Sequence, residues 1–288
     1  MEASELLKKV RQIEIKTRGL SRNIFAGEYH TAFKGKGMTF SEVREYQYGD
    51  DVRNIDWNVT ARFNNPFIKI FEEERELTVM LLIDVSGSRE FGTVKTLKRD
   101  VITEIAATLA FSAIQNNDKI GVIFFSDRIE KCILPQKGKK HILYIIRELI
   151  DFKPESRKTD ISVALRYFTN MVKKRSTAFL ISDFMDKDVS EAMTIANKKH
   201  DIVAVQVYDK RETILPKVGY IKLKDAETEQ RIWVNTNDSK LRQEYENYWS
   251  KKQNQLQHSL KKSGVDFVSI STDEDYVKSL IQLFKLRS

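Results

Sequence analysis

The sequence predicts an α/β protein, with a doubly wound, mostly parallel sheet preceded by a small β-rich N-terminal domain. Three observations lead to this fold class. From residue 77 onward, short apolar segments alternate with longer segments of helical periodicity. These strand-length segments are almost continuously apolar, as is typical of parallel strands buried on both faces. Residues 1–76 are instead rich in glycine and aromatic residues, so we divide the chain into domains at 1–76 and 77–288.

The N-terminal domain is predicted to begin with a helix over residues 4–18, which ends near Gly19. Residues 20–76 are predicted to form loops and short strands. The α/β domain then begins with the apolar strand Leu77–Ile83. Further strands are predicted at Lys119–Phe125, Ile129–Leu134, Ser176–Ser182, Ile202–Tyr208, Tyr220–Leu223, Arg231–Asn235 and Val265–Ile270. Because Ile129–Leu134 follows its predecessor so closely, we expect it to pair antiparallel at the sheet edge.

Helices are predicted between these strands wherever apolar residues recur at helical spacing. In the first long helix, for example, Ile102, Ile105 and Leu109 lie on one stripe. The predicted helices are Val94–Gln115, Lys139–Ile150, Asp160–Lys173, Val189–Lys198, one from Ser239 to just before Gly264, and Asp273–Leu286. Thr159 is placed to cap the helix that follows it.

Composition indicates a globular protein of a reducing compartment. Of 288 residues, 41% are hydrophobic, and the net charge is +8. Residues 1–76 carry 13 basic and 13 acidic residues, so the positive charge is not concentrated in an N-terminal arm, and a nucleic-acid partner is not favoured. The single cysteine, Cys132, makes no internal disulfide. No apolar run approaches the ~18 residues of a membrane helix, and no signal sequence is seen, so we expect a cytoplasmic protein without direct membrane insertion.

Oxygen-bearing side chains follow three segments of the predicted α/β domain. Asp84, Ser86 and Ser88 come directly after the first strand, Thr159 precedes a helix, and Asp183 follows Ser176–Ser182. In open α/β sheets, ligands bind at the carboxyl ends of the strands. Carboxylates and hydroxyls with positions left for water suit Mg²⁺ or Mn²⁺. The sequence therefore predicts a Mg²⁺ (or Mn²⁺) site at this edge of the sheet.

This set of residues resembles the metal-ion-dependent adhesion site of von Willebrand factor A domains. Thr159 and Asp183 follow Asp84 by 75 and 99 residues, as that family would have them. The resemblance implies a sheet of von Willebrand factor A type. It also implies that Asp84, Ser86, Ser88 and Thr159 coordinate the metal, with Asp183 at the site directly or through water. The function implied is metal-dependent protein–protein interaction, in which the metal binds a partner's carboxylate.

A second resemblance is more specific. The segment Gly35–Arg62 is similar to the signature of the domain of unknown function 58 family, as are residues 71–74, Asp183-Phe184 and the run from Asp225 to Thr228. Members of that family resemble von Willebrand factor A proteins and are typically encoded beside bacterial MoxR-type AAA+ ATPases. The resemblance implies an adaptor or partner of such an ATPase or its client.

Some residues receive predictions of their own. Relatives often have Met where this chain has Arg89; its guanidinium would compete with the metal or help to hold an incoming carboxylate, and Asp160 is a second candidate for partner binding. Signature residues in the N-terminal domain are predicted to have a structural role, with the arginines pairing with carboxylates in a buried network and the tryptophan at the core or a domain interface. These residues are Asp50, Asp51, Arg53, Asp56, Trp57 and Arg62.

Several enzyme classes are disfavoured by the residues present. Ser86 stands where a haloacid dehalogenase phosphatase would need a second Asp, and Asp84 and Ser88 stand where a serine hydrolase elbow needs glycine. No phosphate-binding loop is found, and the four histidines show no ligand spacing. We therefore predict no catalytic residues and no enzymatic activity. Two alternatives stay open: a nucleic-acid-associated basic protein, and a divalent-metal hydrolase that uses Asp84 and Asp183.

Overall fold

The computed structural model describes residues 10–14, 16, 38–63, 65–73, 77–92, 97–186 and 189–287. The chain divides into two compact units, one of residues 34–76 and one that joins the described residues before 34 to the region from 77 onward. The N-terminal part thus groups with the α/β unit, whereas the sequence analysis assigned all of 1–76 to one domain. Residues 10–14 and 16 are helical, and the rest of the predicted helix lies outside the described residues.

The described elements match most of the predicted ones. The strands are β1 Met38–Glu45, β2 Phe67–Glu73, β3 Thr78–Asp84, β4 Lys119–Phe125, β5 Ile129–Gln136, β6 Thr177–Ser182, β7 Asp201–Tyr208, β8 Tyr220–Lys224, β9 Arg231–Asn235 and β10 Asp266–Ser271. The helices are α1 Trp57–Phe63, α2 Lys98–Gln115, α3 Lys139–Asp151, α4 Ile161–Met171, α5 Ser190–Lys199, α6 Lys210–Thr213, α7 Ser239–Lys262 and α8 Tyr276–Arg287. No helix in the described part of the chain is long and apolar enough to cross a membrane.

A six-stranded sheet forms the centre of the α/β unit, in the order β10-β7-β6-β3-β4-β5. Five strands are parallel, and β5 pairs antiparallel with β4 at the edge. The predicted doubly wound, mostly parallel sheet is therefore confirmed, as is its antiparallel edge strand. Starting from β3, the chain first builds the sheet towards β5 and then returns to build β6, β7 and β10 on the other side.

The sheet separates two hydrophobic layers, and β3 contributes to both. Its residues Val79, Leu81 and Ile83 face the layer that includes α2, α3 and α8. Met80 and Leu82 face the layer that includes α4 and α5. Because neighbouring side chains of a strand point to opposite faces, a strand covered on both faces must be apolar at every position. This explains why the apolar run predicted the strand so well.

Gly121 in β4 allows a close approach between neighbouring strands. A Cβ atom on Gly121 would lie 2.7 Å from Met80 Sδ, 2.8 Å from the Ile133 carbonyl oxygen and 2.9 Å from the Pro135 nitrogen. These distances are too short for a side chain, so glycine is required by space rather than by backbone conformation. The register of the β4–β5 pairing shifts at this residue, between Ile120 and Val122.

The smaller unit consists of the antiparallel pair β1–β2 and the short helix α1. Ion pairs do order its loop, but they are not the buried network that the sequence predicted. Asp50 accepts two hydrogen bonds from Arg44, at 2.8 and 2.9 Å, rather than from Arg53. Arg53 pairs with its near neighbour Asp51, and both side chains are exposed.

The remaining signature residues of this unit are also more exposed than expected. Asp56 accepts hydrogen bonds from the backbone of Asn58 and Val59, which lie in the first turn of α1. Trp57 is 70% exposed and is therefore not a core residue. Arg62 lies on α1 and is exposed.

Candidate metal centre

Two of the predicted ligands, Asp84 and Asp183, lie where two neighbouring strands of the sheet are connected in opposite directions. β3 and β6 are neighbours in the sheet, yet the chain leaves β3 towards β4 and returns to β6 from the other side. Such a switch point leaves a crevice at the carboxyl ends of the two strands, because their following loops diverge. Asp84 ends β3, and Asp183 comes directly after β6. The fold thus brings together two carboxylates that are 99 residues apart in sequence.

Asp84 is buried and its carboxylate is held on both oxygens. Oδ1 accepts a hydrogen bond from the backbone N–H of Ser86 at 2.9 Å, and Oδ2 accepts one from Ser182 Oγ at 2.6 Å. Burial and the negative charge of Asp183 raise the pKa of Asp84 to about 6, against the lowering effect of these hydrogen bonds. The carboxylate is therefore fixed in orientation, and its surroundings disfavour its negative charge.

The two serines of the loop after β3 form a hydroxyl pair beside the carboxylates. Ser86 precedes a short 3₁₀ turn, Gly87–Glu90, and this turn brings Ser86 Oγ to within 3.1 Å of Ser88 Oγ. Asp183 would have a raised pKa from burial alone, but the ammonium of Lys98 and hydrogen bonds, including one from Ser88, bring its pKa below the usual range. Ser88 thus connects the hydroxyl pair to the second carboxylate.

The capping role predicted for Thr159 belongs to Asp160. The hydroxyl of Thr159 donates to Glu227 Oε1 at 2.9 Å and does not cap the helix. Asp160 is the N-cap of α4, because its Oδ1 accepts from the backbone N–H of Val163 at 3.1 Å. The cap uses one oxygen of this carboxylate, and the partner-binding role of Asp160 stays a prediction.

Arg89 is also placed differently from the prediction. Its side chain is buried, and Nη2 donates to the carbonyl oxygen of Phe152 at 2.5 Å. Burial lowers the pKa of the guanidinium, with the charge of Glu90 acting in the opposite direction. Arg89 therefore packs into the protein beside the site, and its guanidinium is not presented to an incoming carboxylate.

A buried cation that the sequence did not predict, Lys98, lies at the centre of the site. Lys98, the first residue of α2, places Nζ 2.9 Å from Asp183 Oδ2 and 2.6 Å from Glu212 Oε1. Burial acts to lower the pKa of Lys98, but the charges of the two carboxylates outweigh it and raise the pKa. In the sequence, a lysine near the start of a helix is indistinguishable from a solvated one. The predicted helix began at residue 94, whereas α2 begins at Lys98, so the prediction did not place Lys98 at the helix N-terminus.

The donor set fits a small divalent cation. Oxygen ligands in an octahedron around Mg²⁺, at about 2.0–2.1 Å from the ion, lie about 2.9 Å from their neighbours. Ser86 Oγ and Ser88 Oγ are joined by a hydrogen bond of 3.1 Å, a separation that is also close to that of two adjacent positions of that octahedron. Among the described residues, no three acidic, histidine or cysteine side chains converge on a point that could hold a metal. A metal here therefore depends on the hydroxyls as well as on Asp84 and Asp183.

Comparisons with known proteins agree with the sequence signature. Residues 42–255 match the family described as "Protein of unknown function DUF58". The uncharacterised protein Rv1480 of Mycobacterium tuberculosis (strain ATCC 25618 / H37Rv) is 26% identical over 286 residues, which cover 98% of this chain and 90% of that protein.

Solved structures with a similar arrangement are more distant. An aerotolerance-related membrane protein from Bacteroides fragilis has 14% identity and a TM-score of 0.48, covering 73% of this chain and 99% of that chain. The SpRpn10 VWA domain has 10% identity and a TM-score of 0.38, covering 72% of this chain and 94% of that chain. The family match itself spans most of the sequence, and the chain belongs to the DUF58 family.

Proposed function

We propose that this protein is a metal-dependent protein-interaction module. Asp84, Ser86, Ser88, Thr159 and Asp183 would hold Mg²⁺ or Mn²⁺, and the bound ion would supply a positive centre that accepts a carboxylate from a partner protein. Two carboxylates balance the charge of a divalent ion, and hydroxyls add no further negative charge. Such a site can bind an additional anionic oxygen, in a contact that is lost without the metal.

The hydroxyl pair is the observation that carries this proposal. Ser86 and Ser88 lie 3.1 Å apart beside Asp84, at the switch point between β3 and β6. A structural explanation would need only hydrogen bonds, and Ser182 already supplies one to Asp84. The two loop hydroxyls also hydrogen-bond to each other, and Ser88 donates to Asp183. Their position next to two buried carboxylates supports a hard cation as the ligand that all four groups could share.

The kind of partner is proposed from the family resemblance, and the site does not identify it. From the family resemblance we infer a MoxR-type AAA+ ATPase or its client, met in the cytoplasm, and an interaction role rather than an enzymatic one. Nucleic acid is the competing partner class, because the net charge is +8. Phosphate contacts would weaken steeply with rising salt and would not require Asp183.

Metal binding is the first test. We expect calorimetry with Mn²⁺ to detect binding to the wild-type chain and no binding to Asp84→Ala or Ser86→Ala. Asp118→Asn is the matched control. Like Asp84, Asp118 is a buried carboxylate that accepts a backbone hydrogen bond, from Leu77 at 2.9 Å, but it lies at the opposite end of β3. Unchanged Mn²⁺ affinity in Asp84→Ala would refute the assignment of the site.

Partner binding is the second test. The wild-type protein and Asp183→Ala would each be used to capture a co-expressed MoxR-type ATPase, with Mg²⁺ and with EDTA, over a series of salt concentrations. We expect capture only with the wild type and Mg²⁺, and only a shallow dependence on salt. Capture that survives EDTA and the substitution would show that the metal is not the docking point.

A further inference from the structure

The hairpin formed by β8 and β9 presents one of its faces to solvent. Lys222 pairs with Trp233 and Lys224 pairs with Arg231, and residues that lie opposite each other in an antiparallel pair share a face. Tyr220 lies on the same face, because side chains of a strand alternate between faces. All five side chains are exposed, whereas the alternate residues of β8 are half-buried. We call this exposed side of the hairpin the basic aromatic face.

Two large aromatic rings lie uncovered on the basic aromatic face. Trp233 is 69% exposed and Tyr220 is 72% exposed. Exposed apolar surface that is bordered by polar groups is typical of a site where another molecule binds. Tryptophan and tyrosine are also among the residues that contribute most to binding in protein interfaces. The face therefore has the composition of an interaction surface.

The positive charges around the Trp233 ring are only partly compensated. Lys224 forms an ion pair with Glu229 at 2.9 Å. Lys222 instead stands over the Trp233 ring, with Nζ 5.8 Å from the ring centroid. Among the described residues, neither Lys222 nor Arg231 forms an ion pair with a carboxylate. The face thus combines an exposed indole with two available cations, which complements a segment that carries acidic side chains and an apolar one.

The backbone of the hairpin favours a peptide over a nucleic acid as the acidic ligand. Within the part of the chain that the structure describes, neither β8 nor β9 pairs with a third strand. Strand edges of this kind offer N–H and C=O groups to an extended peptide, whereas a nucleic acid has no matching backbone. The ammonium of Lys222 also stands over one face of the Trp233 ring, where a stacked base would have to lie.

The hairpin directs this face towards the candidate metal centre. The turn between β8 and β9 contacts the loop of the two ligand serines, because a Cβ atom on Gly87 would stand 2.3 Å from the Ala226 carbonyl oxygen. In the same turn, Glu227 accepts a hydrogen bond from Thr159 at 2.9 Å. Trp233 belongs to the third residue pair from this turn, which places it about 10 Å from the turn at ~3.4 Å per residue. One short segment can therefore reach from Trp233 to the site.

We propose that the basic aromatic face is the docking surface for an extended acidic segment of a partner protein. Carboxylates of the segment would pair with Lys222 and Arg231, and an apolar side chain between them would cover Trp233. The inference rests on the proposed function, since a further acidic residue of the same segment would supply the carboxylate that binds the metal. The contacts with the face itself need no metal, so the two contributions can be measured separately.

The test uses a fluorescein-labelled peptide of glutamates with one central phenylalanine. Its affinity for the full chain would be measured by fluorescence anisotropy, in EDTA and in Mg²⁺. We expect the wild type to bind in both conditions and more tightly with Mg²⁺. Trp233→Ala and Lys222→Glu should each weaken binding in EDTA by about tenfold or more, because they remove the apolar contact and reverse a paired charge.

Two substitutions elsewhere are the matched controls. Trp57 is 70% exposed but lies in the smaller unit, so Trp57→Ala removes an equally exposed ring. Lys252 stands 5.9 Å from the ring centroid of Tyr248 on α7, so Lys252→Glu reverses a similar charge over a ring. Both variants should bind within about twofold of wild type. In chain labelled with fluorotryptophan, the peptide should shift the fluorine resonance of Trp233 and not that of Trp57, a measurement that needs no substitution in the hairpin.

The outcomes separate this inference from the proposed function. Wild-type affinity in both hairpin variants, or no binding of the peptide at millimolar concentration, would overturn the docking surface, and tighter binding of the peptide or of acetate with Mg²⁺ would still support the metal site. Weaker binding of both hairpin variants in EDTA, without any effect of Mg²⁺ on the wild type, would support the docking surface and refute the role of the metal. Tighter binding of a single-stranded oligothymidylate than of the peptide, lost in the same variants, would overturn the inference in favour of nucleic acid.

Discussion

Replacement of Lys98 by methionine tests the electrostatic design of the site most directly. Lys98 is 1% exposed, and its ammonium lies between the carboxylates of Asp183 and Glu212. Methionine is one heavy atom shorter than lysine; it keeps most of the apolar stem of the side chain and removes the ammonium group. The substitution leaves two carboxylates close together with no cation between them, while the space around them stays filled.

The expected loss of stability follows from this geometry. Removal of one partner from a buried ion pair costs about 3–5 kcal/mol, because the remaining charge is buried without compensation. Lys98 serves two carboxylates, so we place Lys98→Met in that range. Mn²⁺ should restore part of the loss, since a bound divalent ion supplies positive charge beside Asp183 and binds only the folded state.

Lys210→Met is the matched control for this prediction. Lys210 also pairs with two carboxylates, Asp273 at 3.1 Å and Glu274 at 3.3 Å, but its side chain is 51% exposed. Exposed pairs contribute about 0–1 kcal/mol, so this variant should remain close to wild type.

Urea unfolding in EDTA, followed by far-ultraviolet circular dichroism, measures both variants. Equal and small losses, below about 1 kcal/mol, would refute the reasoning, because they would mean that the Lys98 ammonium is hydrated in the folded protein.

Three further predictions concern stability, pH and the metal. Gly121→Ala should destabilise the protein by about 1–3 kcal/mol in thermal or urea unfolding, because the new Cβ overlaps Met80 and the β5 backbone; a neutral effect would contradict the required close approach. Burial and the nearby charge of Lys199 lower the pKa of His200 to about 4, from 6.5, so the unfolded chain binds the proton more tightly. Stability from this residue is complete above pH 6.5 and is lost towards pH 4, by up to about 1.4 kcal/mol per pH unit. His200→Phe should remove that part of the acid sensitivity, and parallel pH curves for the two proteins would contradict it. Finally, Mn²⁺ should raise the melting temperature of the wild type but not of Asp84→Ala, as measured by differential scanning calorimetry.

The strands of the α/β unit were predictable because a strand buried on both faces has apolar residues at consecutive positions of the sequence. Every residue of β3 from Val79 to Asp84 is buried, and the apolar run in the sequence matches that span except for its final carboxylate. The proximity of Asp84 and Asp183 could also be predicted, since the ends of neighbouring parallel strands meet at one edge of the sheet. The antiparallel position of β5 followed from the short connection before it.

The charged partners within the site could not be predicted, because they depend on contacts between distant segments. Lys98 meets Asp183 and Glu212 across 85 and 114 residues, and nothing local distinguishes it from a solvated lysine. Arg89 stands next to a ligand serine in sequence, yet its rotamer carries the guanidinium to Phe152. Glu227 was visible only as part of a family signature, without a role.

The position of β3 has a consequence for how the protein acquires its site. Asp84 and Asp183 become neighbours only when β6 pairs with β3, after the chain has completed β4 and β5 on the other side. Closing the long loop between β3 and β6 costs conformational entropy, and the contacts that offset this cost form late in folding. A metal that binds both carboxylates would therefore bind only after the two halves of the sheet have joined. Its binding free energy would add to the stability of the β3–β6 pairing, so the lifetime of the folded sheet would depend on the metal concentration.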